Sequence, residues 1–218
     1  MNTNANLPAH TIVDLSVWDR GPVFRHFIDD LRCVMSMTVD LDVSRLLNSL
    51  HKRGLSFYPA MIWMVTRVLN AHDEFRYGWD DRNRLVLWER IEPYYADFRP
   101  DRQTFVKLVT PFDPDPALFH RRFLKDRKRY AALDHFDQMD VPPNTFDISC
   151  LPWIRYRSFD MHIFDSGTYL GPVVTWGKYE TVGERVLMPL SLNIHHAVAD
   201  GFHLSRFFLE LQELADCM

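Results

Sequence analysis

The chain has 218 residues, 47% of them apolar and 25% charged, enough for one large or two small water-soluble domains with a packed core. The net charge of -4 comes from interspersed acids and bases, which excludes a basic stripe for nucleic acid. The longest apolar run, Phe57 to Val65, is too short to span a bilayer, and three scattered cysteines (Cys33, Cys150, Cys217) without a CxxC argue for reduced thiols in the cytoplasm.

Residues 1–9 lack a charged stretch followed by an apolar one, so they read as a flexible tail rather than a secretory signal, with residues 10–218 as a single domain. Thr11 to Leu15 reads as a short strand. Pro22 is placed to open a helix carrying Phe24, Phe27, Ile28 and Leu31 at 3–4 spacing. Cys33 to Asp42 alternates like a strand. Asp42 then caps a helix to about Lys52, with Val43, Leu46, Leu47 and Leu50 inward. Pro59 opens the next helix. Residues 76–79 and 85–88 flank a turn as a hairpin, and 91–98 and 104–108 are extended. Residues 118–130 form a strongly basic helix whose charge run reads as a solvated face. Three more extended stretches, 146–151, 154–159 and 172–179, precede a final strand and helix. Neither GxGxxG nor GxxxxGK occurs, which speaks against a nucleotide-cradling loop. The mixture predicts an α/β fold: a two-layer sandwich of a mixed β-sheet packed with helices.

The last strand carries the chemistry. From Val186 to Ile194 apolar residues alternate with Pro189, Ser191 and Asn193, the period of a half-buried strand. Carried two residues further, that parity puts His196 on the core side and His195 on the polar side. Asp200-Gly201 then suits a turn and a cap for a helix with Phe202, Phe207, Phe208, Leu211 and Leu214 on one face. An imidazole at a strand end, partly desolvated, favours its neutral form and takes a proton from a hydroxyl or thiol near pH ~7. A structural His pair fits the two residues alone equally well. A metal centre on His195, His196 and His203 does not, because adjacent histidines seldom hold one ion together and no further ligand spacing completes the set.

The string His195-His-Ala-Val-Ala-Asp-Gly-Phe-His203 resembles the active-site signature of the chloramphenicol acetyltransferases, within the CoA-dependent acyltransferases that share His-His-x-x-x-Asp-Gly. Phe57-Tyr-Pro-Ala60, Ser149-x-Leu-Pro-Trp153, Lys178-Tyr179 and Leu187-Met-Pro-Leu190 resemble that family in order and spacing, over roughly residues 10 to 216. The resemblance implies a homotrimer with active sites at subunit interfaces, and acetyl-CoA as co-substrate without a metal. It implies that His196 is the general base, Ser149 the donor to the oxyanion, and Thr175 the holder of a water. It pairs Asp200 with Arg20 as a structural ion pair, implies a wall for chloramphenicol made of Phe27, Leu31, Cys33, Phe105, Phe159, Met161 and Val173, and sets Lys178 and Tyr179 near the CoA tail. The chain departs from the family at Ala199, where Cys is common, at Ala96, where Thr is usual, and at Gly21-Pro22, where charged residues stand. A dihydrolipoamide acyltransferase core is the nearest alternative, and it usually follows a lipoyl domain and a linker, neither of which this chain has. A binding protein that keeps the fold without catalysis is the other.

Overall fold

The computed structural model describes residues 7–138, 140–163 and 166–218. Its framework is a mixed seven-stranded sheet of β2 (Val34–Asp42), β5 (Glu92–Arg99), β6 (Thr104–Val109), β7 (Thr145–Leu151), β8 (Val173–Gly177), β9 (Glu180–Val182) and β10 (Arg185–His195). The order is β2-β10-β8-β7-β5-β6, with β9 paired to the start of β10. Strands β5, β7 and β8 run parallel; β10 runs antiparallel to β2 and β8, and β6 antiparallel to β5. A small antiparallel sheet of β1 (His10–Ile12), β3 (Tyr77–Trp79) and β4 (Leu85–Trp88) lies apart, with the expected hairpin formed by β3 and β4.

The helices are α1 (Gly21–Arg25), α2 (Ser44–Arg53), α3 (Phe57–Asn70), α4 (Pro116–Arg129) and α5 (Gly201–Cys217). Helix α3 is apolar nearly all round and buried from Pro59 to Thr66, as a helix at the centre of a layer should be. It packs between α4 and α5 and against β5. The sheet answers with Tyr95, Ile148, Val174 and Leu192, all fully buried on the face that meets the helices. The expected two-layer arrangement is therefore present.

Several local expectations shift. Asp42 is not the cap residue of α2: its carboxylate takes both the N–H and the hydroxyl of Ser44, one residue beyond the N-cap Val43. Helix α3 begins at Phe57, two residues before Pro59. Residues 154–159 form no regular strand; the Ile154 carbonyl accepts the Lys178 N–H instead, and Ile154 itself is exposed. Phe202 is 68% exposed and leaves the buried face of α5 to Leu204, Phe207, Phe208, Leu211 and Ala215. Strand β10 is not half-buried. Ser191, Asn193 and His195 are buried too, because Tyr156, the Met161 carbonyl and the Gly167 carbonyl hydrogen-bond along its second face.

Candidate active site

Strand β10 ends at His195, so His196 lies in the turn that follows and not on the strand parity that the alternation extends. The turn is held from three sides. The His196 N–H donates to the Cys33 carbonyl at 2.8 Å, tying the turn to the start of β2. Arg20, just before α1, donates from Nε to the Ala197 carbonyl (2.8 Å), from Nη2 to the His196 carbonyl (2.9 Å) and from Nη1 to Asp200 Oδ2 (3.2 Å). Asp200 caps α5 by accepting the Phe202 N–H, while its own N–H donates to His203 Nδ1. Burial works against the Asp200 charge, but the hydrogen bond from Arg20, the nearby His203 and the Phe202 N–H outweigh it and hold the carboxyl below its ordinary range.

The two adjacent imidazoles carry opposite tautomers. His196 Nδ1 lies 2.9 Å from the Ala199 carbonyl oxygen, which only accepts, so Nδ1 bears a hydrogen and the lone pair of the neutral ring is on Nε2. His195 Nδ1 accepts the Ala197 N–H at 3.1 Å, so its hydrogen is on Nε2 and donates to the Gly167 carbonyl at 3.1 Å. Both nitrogens of buried His195 are thus committed to backbone, while half-buried His196 has a basic nitrogen to offer. Phe27 stacks on the His196 ring at 4.1 Å between centroids and 20° between planes, which fixes the plane of the base. Phe27 itself sits in a single π turn, His26–Asp30, that continues α1. Such turns recur at functional sites, and no spacing in the sequence announces this one.

Ser149 is elsewhere. It sits near the carboxyl end of β7 and lines a cleft of ≈ 840 Å³ with Phe57, Tyr58, Phe105, Trp153, Lys178 and Tyr179. Across the sheet Ser149 is in register with Thr175 on β8, which faces Ser191 on β10. His196 lies five residues beyond Ser191, and β7 is two strands from β10, so the Ser149 and His196 backbones of one chain are about 20 Å apart. Thr175 is buried, and its hydroxyl has no hydrogen-bond partner among the described residues.

The remaining expected residues divide. Cys33, Met161 and Val173 line a second hollow of ≈ 430 Å³ together with Asn193 and His195. Leu31 is 57% exposed and Phe159 leans on Tyr156; neither is among the residues lining these two hollows. Cys150, beside Ser149 in the cleft, is the nucleophile one might suspect there, but burial pushes its thiol up to about 12, only partly relieved by Trp176, so it stays protonated at neutral pH. Sequence reasoning misses two cleft residues of opposite charge, Asp97 and Arg127. Arg127 belongs to the basic face of α4 that reads as solvated, and only the tertiary fold brings it to β5.

The fold is shared with solved acyltransferase structures. The chain overlays a solved chloramphenicol acetyltransferase with a TM-score of 0.81 at 22% identity, over 95% of this chain and 100% of that one. It overlays the cubic core of the pyruvate dehydrogenase multienzyme complex with a TM-score of 0.63 at 16% identity, over 99% and 93%. Within that class the sequence is specific: the family model described as chloramphenicol acetyltransferase matches residues 8–212, and the chloramphenicol acetyltransferase of Clostridium perfringens is 37% identical over 205 residues, 94% of each chain. The chain belongs to the chloramphenicol acetyltransferase family.

Proposed function

We propose that the protein transfers the acetyl group of acetyl-CoA to the 3-hydroxyl of chloramphenicol, in a ternary complex and without an acyl-enzyme. The observation that carries this reading is the hydrogen bond between His196 Nδ1 and the Ala199 carbonyl. With Nδ1 donating to Ala199, Nε2 is the acceptor of the hydroxyl proton as the oxygen attacks the thioester carbon. The attacking oxygen bonds to that carbon, the carbonyl oxygen becomes an oxyanion, and the intermediate collapses with loss of CoA thiolate, which takes back the proton from His196. The Ser149 hydroxyl donates to the oxyanion. A water on the unpartnered Thr175 hydroxyl extends that support. The raised pKa of Cys150 fits direct transfer, since the cleft then holds no thiolate to be acylated.

The distance between His196 and Ser149 favours a site built from two chains, in a trimer. The His196 turn of one subunit, with Arg20, Asp200 and Phe27, faces the Ser149 cleft of its neighbour. Acetyl-CoA lies along Lys178 and Tyr179. The acceptor lies against Phe27, Leu31, Cys33, Phe105, Phe159, Met161 and Val173, so exposed Leu31 gains its cover at the interface. No described helix is long and apolar enough to cross a membrane, in keeping with a cytoplasmic enzyme of antibiotic resistance. The test is thiol release from acetyl-CoA with and without chloramphenicol. Wild type releases thiol only with the acceptor present, and His196→Ala falls to background; equal rates for the two proteins defeat the reading.

A further inference from the structure

The cleft that holds Ser149, Lys178 and Tyr179 has one more cation on its wall. Arg127, near the end of α4, donates from Nε to Asp97 Oδ1 at 2.8 Å, and its guanidinium carbon stands 5.8 Å from the centre of the Phe123 ring. Asp97 is 3% exposed in its side chain, whereas Arg127 is 46% exposed. The other Asp97 oxygen accepts no hydrogen bond among the described residues; Arg99, which donates to the Tyr130 carbonyl, lies 3.2 Å from it as an ion pair. Two guanidinium groups therefore share one carboxylate, and the cluster keeps a surplus positive charge. Asp97 is the only acidic residue among the described lining of this cleft, and Lys178 is a further cation there. Arg127 is anchored by one of its five N–H donors, and its two terminal nitrogens have no hydrogen-bond partner among the described residues. A guanidinium clamped at Nε and open at both ends of its fork suits a phosphate.

We propose that Arg127 binds a phosphate of the nucleotide end of acetyl-CoA, with Asp97 as the residue that positions it. This rests on reading the cleft as the CoA site. The neighbouring aromatic rings of Phe57, Trp153 and Tyr179 give the uncharged parts of such a ligand an apolar bed. Asp97 sets the guanidinium before the substrate arrives, so little side-chain freedom remains to be lost on binding.

The test compares kcat/KM for acetyl-CoA with that for acetylpantetheine, which carries the same thioester arm and no phosphate. Arg127→Gln lowers the ratio of the two about tenfold, the scale of one charge-assisted hydrogen bond. Arg127→Lys keeps a cation without the fork and restores part of it. Acetyl-dephospho-CoA, which lacks only the 3′-phosphate, tells which phosphate is held: a penalty that persists with it assigns the contact to the diphosphate, and one that disappears assigns it to the 3′-phosphate. Calorimetric titration with free CoA and with pantetheine repeats the comparison without turnover. A loss of the same size for both thioesters makes Arg127 a purely structural partner of Asp97 and overturns the proposal. A changed ratio in Lys178→Gln but not in Arg127→Gln overturns it while leaving the CoA cleft standing; an unchanged ratio in both removes the cleft reading as well. Should Arg127→Gln fail to fold because Asp97 loses a partner, the double variant Asp97→Asn with Arg127→Gln removes both charges and is judged by the same ratio.

Discussion

At the scale of single residues, His195 and His196 differ by what their nitrogens touch. The expected outcome of His196→Ala is a fall in kcat of about 10²–10⁴-fold with the fold intact, checked by thiol release beside a circular dichroism spectrum. His195 donates from one nitrogen and accepts at the other, so His195→Ala should cost stability first and lower Tm. Ser149→Ala should lower kcat by about 10²-fold or more with little change in KM, since the hydroxyl acts on charge that exists only in the transition state; steady-state kinetics in both substrates separates that from a loss of binding. Asp200 supplies the pH argument. Its folded pKa lies below the unfolded value, so its stabilisation is present above about pH 4 and is lost as the pH falls through the folded value. The Tm gap between wild type and Asp200→Asn should therefore be open at neutral pH and close in acid. That gap is small for a half-exposed carboxylate. Arg20 matters more than its ion pair, because it also holds two carbonyls of the turn.

At the scale of elements, the site depends on how α1 is launched. Gly21 follows Arg20, and a Cβ there would lie 2.4 Å from the Leu15 carbonyl oxygen. Gly21→Ala should force the backbone apart, cost about 1–3 kcal/mol in urea denaturation, and carry Arg20 off the His196 turn with a loss of activity. Gly21, visible in the sequence as part of a departure from the family, thus has a steric reason. Most strands and helices were legible because their apolar periods are clean: β2, β7 and β8 fall within one or two residues of expectation, and the 3–4 spacing of α2 survives intact. Periodicity failed where the burial came from outside the element. The alternation of β10 marks one buried face, but the loop of Tyr156, Met161 and Gly167 covers the other, and nothing local encodes that. The motif His-His-x-x-x-Asp-Gly points to the turn after β10; the different partners of its two histidines become visible only with the carbonyl of Ala199 and the N–H of Ala197.

At the scale of the whole molecule, the sheet separates the two halves of the proposed site. Ser149 lies on β7 and His196 just past the end of β10, two strands away and well displaced along the strand direction, so in the proposed trimer one chain would bring only half of the chemistry to any one substrate. Size-exclusion chromatography with light scattering should give three times the 25.8 kDa of the chain. Co-refolding His196→Ala with Ser149→Ala should recover activity that neither has alone, because an interface between the two variants pairs an intact imidazole with an intact hydroxyl; refolded mixtures that stay silent place both groups in one subunit's site. An enzyme divided in the proposed way would also sense its own abundance. Below the concentration at which subunits associate, catalysis should vanish while each chain stays folded, and a cell making few copies would gain no protection until synthesis crossed that threshold.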